Sequence, residues 1–143
     1  MNFSYKKVYL TGANGWLGKQ MVKTILLGDD DVIKGFNNNG CNLTSFVLEN
    51  EKDTSFLDKI KLNHKIVKGN ICSKKDCDNF MENASGGILI HLAGIIHPKK
   101  TKEFYSVNFH GTKNLIESGI KNGIKKFIVM SSNSPTGCNK NIK

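Results

Sequence analysis

The sequence predicts an α/β fold built on a doubly wound parallel sheet of about five strands, truncated after the fifth strand. Two observations lead to this class. Short apolar runs alternate with segments of helical periodicity along nearly the whole chain, in the order β-α-β-α-β-α-β, followed by a further helix and a fifth strand. In addition, a glycine-rich segment, residues 11–18, lies between the first apolar run and the first helical segment, where such folds place a phosphate-binding turn.

The elements of the first half follow from local patterns. Residues 7–10 form a short apolar strand that ends in Thr-Gly, and apolar side chains at helical spacing begin at Trp16. Gly28 and the acidic run after it end this first helix. The next stretch, 29–41, is polar and Asn-rich, which predicts a loop longer than most. The elements that follow are a strand over 43–48, a polar connection over 49–55, a short helical turn over 56–62 and a strand over 64–67.

The second half continues the alternation. Ser73 is a suitable N-cap for a helix over 75–82. Two glycines then precede the continuous apolar run 88–92, which is typical of a strand buried on both faces. The last elements are a helix over 104–120 closed by Gly123, a fifth strand over 127–130 and a polar stretch over 131–143.

Composition narrows the classes of function. With 143 residues, 38% of them hydrophobic, the chain has room for one domain with a core. The formal net charge is +9, yet every basic residue is Lys and the lysines are scattered. Specific nucleic-acid readers favour Arg, so the charge indicates a solvated surface, and no nucleic-acid partner is expected.

Membrane and metal functions are not expected either. No apolar stretch approaches the about 18 residues of a membrane span. The N-terminus has no apolar signal-peptide region, so we expect a cytoplasmic protein with no membrane partner. The four cysteines and four histidines show no metal-ligand spacing, which predicts free thiols and no metal site.

The glycine-rich segment carries the strongest functional signal. It reads Thr11-Gly12-Ala13-Asn14-Gly15-Trp16-Leu17-Gly18, and it follows a strand and opens a helix, as in Rossmann-type dinucleotide-binding folds. Gly12 permits the sharp turn, Gly15 leaves space for a pyrophosphate, and Gly18 lets the helix pack closely on the sheet. The helix N-terminus then favours the anion. The alternative is a glycine-rich turn that binds no ligand.

An acidic residue after the second strand bears on the choice of cofactor. Glu49 follows Thr44-Ser45-Phe46-Val47-Leu48, and a carboxylate there can accept both ribose hydroxyls of NAD while repelling a 2′-phosphate. We therefore predict NAD, with NADP disfavoured. Glu51 and Asp53 are close enough to take this role instead, and Glu49 as an ordinary surface residue remains an alternative.

Three later stretches complete a pattern. Gly69-Asn70-Ile71 ends the third strand, His91-Leu92-Ala93-Gly94 ends the fourth, and residues 107–115 include Asn108 in a helix. The fifth strand ends in Ser131-Ser132. In this order and spacing, residues 6–137 resemble the N-terminal part of the extended short-chain dehydrogenase/reductases, the group of nucleotide-sugar epimerases and dehydratases.

The resemblance implies roles for individual residues. Ser132 matches the family's active-site Ser/Thr, which hydrogen-bonds the reacting substrate oxygen. Asn70 stands where the family usually has Asp, and an amide can still pair with the adenine edge. The residues implied to bind the cofactor are Gly12, Asn14, Gly15, Trp16, Leu17 and Gly18 around the pyrophosphate, Glu49 at the ribose, Asn70 and Ile71 at the adenine, and Leu92, Ala93, Gly94 and Asn108 along the remainder.

The family's catalytic Tyr-x-x-x-Lys pair is missing. The residues four positions after Tyr5, Tyr9 and Tyr105 are Tyr9, Ala13 and Phe109, none of which is Lys. We therefore expect residues 1–137 to form an incomplete NAD(P)-binding domain, followed by a polar tail over 138–143. A serine hydroxyl alone does not deprotonate a sugar hydroxyl at neutral pH.

Three interpretations remain open on the sequence. The chain is the N-terminal part of an NAD-dependent epimerase or dehydratase, as a shortened product or a split-gene half, and takes a nucleotide sugar only when a C-terminal part is supplied. Alternatively it is a non-enzymatic dinucleotide-binding module, or an interaction domain that binds no cofactor. An open fifth strand also predicts marginal stability or self-association as a homo-oligomer.

Overall fold

The computed structural model describes residues 4–28 and 34–132, and these confirm the predicted α/β class. Five parallel strands form one sheet in the order β3-β2-β1-β4-β5. The predicted loop over 29–41 is described only from residue 34, and the predicted tail lies outside the described residues. The strands are β1 (Lys7–Thr11), β2 (Asn42–Val47), β3 (His64–Lys68), β4 (Ile88–His91) and β5 (Lys126–Val129).

Helices connect successive strands, as the alternating pattern predicted. The first half of the predicted 104–120 helix differs from expectation, because Phe104–Gly111 has π-type hydrogen bonding and only the part after it is α-helical. Ser73 caps its helix as predicted, its hydroxyl accepting the Asp76 N–H at 3.2 Å. The α-helices are α1 (Trp16–Leu27), α2 (Ser55–Asp58), α3 (Lys74–Phe80) and α4 (Thr112–Lys121).

The core lies on both faces of the sheet. On one face, residues such as Val8 and Ile90 pack with Val22 and Ile25 of α1. On the other, residues such as Leu89 pack with apolar side chains of α3 and α4. All four residues of β4 are buried, which confirms the predicted strand with two covered faces.

The fifth strand is less well covered. In the part of the chain that the structure describes, β5 pairs with β4 alone. Ile128 is 42% exposed and Met130 54% exposed, although both are apolar. The expected open fifth strand is therefore present among the described residues.

The sequence predicted neither a membrane span nor a metal site, and residues 4–28 and 34–132 bear on both. Within these ranges, no helix has both the length and the apolar character needed to cross a membrane. The same ranges hold no cluster of three or more His, Cys, Asp or Glu side chains suited to a metal ion. Cys41, Cys72 and Cys77 are free thiols, and Cys138 lies outside the described residues.

Candidate functional site

A cleft of about 540 Å³ opens at the carboxyl ends of the strands. Chain order reverses between β1 and β4, and open parallel sheets bind ligands at such a switch point. The volume is in the range of small-molecule and cofactor sites. The residues lining the cleft are Gly12, Ala13, Asn14, Gly15, Phe46, Val47, Leu48, Glu51, Gly69, Asn70, Ile71, Cys72, Leu92, Ala93, Gly94, Ile95 and Val107.

The glycine loop forms one wall of the cleft. Gly12 has a φ of +73°, and a Cβ there would lie 2.8 Å from the Ala93 backbone nitrogen, so both conformation and space require glycine. Gly15 is the N-cap of α1, and its N–H donates to the Gly12 carbonyl at 3.0 Å. Among the described residues, no side chain caps α1 and no acid stands in its first turn. Its first amide groups and dipole are therefore available to an anion.

Gly18 lies outside the cleft lining but shapes the wall from behind. A Cβ at Gly18 would lie 2.0 Å from the Gly12 carbonyl oxygen and 2.7 Å from the Ala13 Cα. α1 therefore lies directly against the loop at Gly18, whereas the sequence pattern predicted close packing of the helix on the sheet at this position. Trp16 and Leu17 are likewise not part of the lining, and the Trp16 side chain is 85% exposed.

The connection after β2 brings an acid into the lining of the cleft. The lining includes Glu51 but not Glu49, whose side chain is exposed. A turn closed by the Glu51 N–H and the Leu48 carbonyl, 3.1 Å apart, returns residue 51 toward the strand end. Asp53 is also outside the lining, and its carbonyl accepts the Asn14 side-chain amide at 2.5 Å. Of the three acids considered from sequence, Glu51 alone is among the lining residues.

Asn70 and Ile71 border the cleft after β3. The Asn70 side-chain oxygen accepts the Cys72 N–H at 2.9 Å, which sets a tight turn. Ile71 is 8% exposed and belongs to the core rather than projecting freely. The Asn114 amide of α4 donates to the Ile71 carbonyl at 3.0 Å and thereby ties this turn to the helix.

The loop after β4 forms the second wall. Leu92, Ala93 and Gly94 line the cleft, as the resemblance implied. Asn108 does not line it, because its amide pairs with the Ile95 backbone: the Ile95 N–H donates to Oδ1 and Nδ2 donates to the Ile95 carbonyl, each at 2.9 Å. Asn108 thus positions this loop, whereas the sequence placed it facing the ligand.

Ser132 is not among the lining residues. It follows β5 and is exposed. Tyr9 and Tyr105 do not supply a substitute acid/base group at the cleft. The Tyr9 hydroxyl donates to the Glu82 carbonyl at 3.2 Å, and burial raises the pKa of Tyr9. Tyr105 is 65% exposed and is not among the lining residues.

One group of functional interest was missed from the sequence. His91, the last residue of β4, is 3% exposed and lies between two hydroxyls: Thr11 Oγ1 is 2.6 Å from Nδ1, and Thr112 Oγ1 is 2.8 Å from Nε2. Burial lowers the pKa of His91 to about 4, so the imidazole is neutral at physiological pH. The available signal was a polar residue at the end of an otherwise apolar strand.

The strand order and the glycine loop at the switch point define a Rossmann-type α/β unit of the dinucleotide-binding class. A model of the 3-beta hydroxysteroid dehydrogenase/isomerase family matches residues 9–143, and the chain belongs to that family. The finding agrees with the resemblance to extended short-chain dehydrogenase/reductases.

Curated relatives cover nearly the whole chain. This chain is 38% identical over 132 residues to an uncharacterized protein, y4nL, of Sinorhizobium fredii, and the match covers 92% of this chain and 36% of the relative. It is 29% identical to a dTDP-D-glucose 4,6-dehydratase of Dictyostelium discoideum, covering 92% and 30%, and 28% identical to a UDP-glucose 4-epimerase of Vibrio cholerae, covering 89% and 35%. The chain spans about a third of the length of these relatives.

Solved structures share the fold. The enzyme WbmH of Bordetella bronchiseptica, solved in complex with NAD+, has a TM-score of 0.68 at 19% identity, covering 87% of this chain and 38% of that one. A uronate dehydrogenase of Agrobacterium tumefaciens has a TM-score of 0.64 at 23% identity, covering 90% and 41%. The likeness confirms the fold, and this chain corresponds to only a part of each of these larger proteins.

Proposed function

We propose that this chain binds NAD in the switch-point cleft and forms the dinucleotide-binding part of an oxidoreductase related to nucleotide-sugar epimerases and dehydratases. The observation that carries the proposal is the wall formed by Gly12 and Gly15, where backbone alone faces the space before an uncapped helix N-terminus. A pyrophosphate requires such a wall, because side chains there would block it. The NAD complexes of structural neighbours support the same choice of ligand.

Three parts of the cleft would each hold one part of the dinucleotide. The first amides of α1 would hold the pyrophosphate, and the turn containing Asn70 would border the adenine. Glu51 would accept the ribose hydroxyls, a role for which Glu49 is the alternative. A carboxylate at this point repels a 2′-phosphate, so NAD is favoured over NADP.

The chemistry that NAD supplies when bound is the acceptance of a hydride. The described residues would bind and orient the cofactor and exclude water through the apolar lining formed by Phe46, Val47 and Val107. Ser132 would hydrogen-bond the reacting oxygen of a substrate. The printed sequence holds no Tyr-x-x-x-Lys pair, so we infer that this chain alone is catalytically incomplete. A nucleotide sugar would be bound only with residues beyond this sequence.

Titration of the purified chain with NADH and NADPH, followed by the fluorescence of the reduced nicotinamide, tests the proposal. We expect saturable NADH binding, weaker NADPH binding, and loss of both in Gly15→Val. The matched control is Gly40→Asn, because Gly40 is outside the cleft lining, a Cβ there would meet nothing within 4 Å, and Asn tolerates its φ of +66° better than other side chains. Equal NADH affinity for Gly15→Val and the unmodified chain would refute the location of the site.

An activity measurement separates the candidate functions. Incubation with NAD and a nucleotide sugar should give neither NADH nor a converted sugar from this chain alone. The sugar is followed as well as NADH, because an epimerase or dehydratase returns the hydride to its intermediate and releases no NADH. NADH production or sugar conversion by the chain alone would refute catalytic incompleteness. Absence of any NADH binding by the folded chain would instead favour an interaction domain without a cofactor.

A further inference from the structure

Beneath the cleft, four hydrogen bonds join two strand ends and a helix in series. The Ala93 N–H donates to Thr11 Oγ1 at 3.2 Å, and Thr11 Oγ1 lies 2.6 Å from His91 Nδ1. His91 Nε2 lies 2.8 Å from Thr112 Oγ1, which donates to the Asn108 carbonyl at 2.8 Å. Thr11 and His91 face each other across paired strands, and Thr112 begins α4.

The two ends of this series determine the position of every proton in it. The Ala93 N–H can only donate, and the Asn108 carbonyl can only accept. Because Thr112 gives its one hydroxyl proton to Asn108, it must accept a proton from His91 Nε2. His91 is neutral, so Nδ1 then carries a lone pair and accepts the Thr11 hydroxyl proton. The reversed order would leave the Thr11 proton without an acceptor in this series.

The series connects the two walls of the cleft. Thr11 directly precedes Gly12, and a Cβ at Gly12 would lie 2.8 Å from the Ala93 nitrogen, so the two backbones touch at this point. At its other end the series reaches Asn108, whose side chain holds Ile95 in the second wall. One imidazole therefore links the glycine loop, the loop after β4 and the helix that supports both.

We propose that His91, in its neutral Nε2–H tautomer, is the positioning residue of the cleft. His91 orients the Thr11 hydroxyl, and this hydroxyl in turn orients the Ala93 amide. These two hydrogen bonds set the spacing of the two walls against the cofactor. This role adds a positioning residue to the proposed NAD site. The expected effect of His91 on NADH affinity rests on the proposed function. His91 does not line the cleft, and it acts through Thr11 and Ala93.

Side-chain nitrogen NMR of the isotope-labelled chain near neutral pH tests the tautomer without any cofactor. We expect His91 to show a protonated Nε2 and an unprotonated Nδ1, with slow exchange of the Nε2 proton because the ring is buried. A protonated Nδ1, or an averaged signal from both tautomers, would overturn the proposal. This result does not depend on whether the chain binds NAD.

Paired substitutions test the effect on affinity. Thr11→Val keeps the side-chain shape but removes the hydroxyl, and we expect NADH affinity to fall about tenfold, the equivalent of one net hydrogen bond. Thr11→Ser keeps the hydroxyl and should stay within about threefold of the unmodified chain. Wild-type affinity in Thr11→Val, with the His91 signals unchanged, would overturn the proposal.

A second hydroxyl–histidine pair away from the cleft provides a matched control. Ser45 Oγ lies 2.8 Å from His64 Nε2, and neither residue lines the cleft. Ser45→Ala should lower stability while leaving NADH affinity unchanged, which separates positioning from a general loss of stability. If Thr11→Val does not fold, Thr112→Val is compared with Thr112→Ser instead, because Thr112 is the partner of His91 on α4. The same tenfold difference in NADH affinity is expected. Equal affinities in that pair would overturn the proposal.

Discussion

Gly15 and Gly18 lie three residues apart, and the structure assigns them different costs on substitution. In Gly18→Ala, the new methyl would lie 2.0 Å from the Gly12 carbonyl oxygen, where at least 3.0 Å is needed. The obstructing atoms are backbone, so α1 must move away from the loop. Overpacking of this kind costs about 1–3 kcal/mol. In an unobstructed helix interior the same change would stabilise by about 1 kcal/mol.

Gly15→Ala should have the opposite profile. Gly15 has a φ of −69°, which any residue adopts, and its Cβ would meet one atom, the Gly12 oxygen at 3.3 Å. The cost in stability at this N-cap is about 1 kcal/mol or less. Gly15 lines the cleft, however, so the methyl takes space that the pyrophosphate needs. We expect NADH affinity to fall at least about tenfold.

Thermal unfolding and NADH titration of both variants measure the difference. The transition temperature of Gly18→Ala should fall by about 3–10 °C, and that of Gly15→Ala by about 4 °C at most. At a temperature where both are folded, Gly15→Ala should be the weaker binder. A Gly18→Ala chain as stable as the unmodified protein would refute the close contact of α1 with the loop, and wild-type affinity in Gly15→Ala would refute the pyrophosphate position.

Other predictions concern charge, pH and the open strand. Glu51→Gln should weaken NADH binding about tenfold and reduce the preference for NADH over NADPH. Glu49→Gln should change NADH affinity less than about twofold. The reverse ranking would mean that Glu49 binds the ribose. Burial lowers the pKa of His91 from 6.5 to about 4. Between these two pH values His91 is protonated in the unfolded chain and neutral in the folded chain, so the free energy of unfolding falls as the pH drops from 6.5 to about 4. The loss reaches about 3 kcal/mol, and urea unfolding of His91→Phe should show a flatter slope over the same pH range. Ile128→Lys on the exposed strand β5 should reduce the self-association of the chain, measured by sedimentation. An unmodified chain that stays monomeric and unfolds well above about 60 °C would contradict the expected low stability of the open edge.

Local sequence was sufficient to predict most of the fold, because hydrophobic period and glycine position are local properties. The run 88–92 predicted a doubly buried strand, and β4 is buried throughout. Ser73 predicted a capped helix, and it caps one. The π-type hydrogen bonding over Phe104–Gly111 was not predictable, since π and α segments share the same apolar spacing over so few residues.

Predictions of individual side-chain roles depended on backbone geometry that the sequence does not carry. The choice between Glu49 and Glu51 depends on one turn, closed by the Glu51 N–H and the Leu48 carbonyl, whereas the sequence favoured Glu49 because it directly follows the strand. Asn108 was assigned by its position in a family pattern. Its actual partner, the Ile95 backbone, lies 13 residues away in a loop whose path no periodicity describes.

The buried histidine differs from these cases, because the predicted topology contained most of the information needed to find it. Thr11 and His91 are 80 residues apart, and each alone is an unremarkable polar residue at the end of an apolar strand. A doubly wound sheet places the first and fourth strands side by side, and equal strand ends then bring the two residues into register, as they are here. A buried hydroxyl facing a buried imidazole must share a proton with it, since unpaired polar groups in such a layer are costly. In folds of this class, polar residues that end neighbouring strands should therefore be considered as pairs, and their proton order can be worked out from the backbone groups at either end.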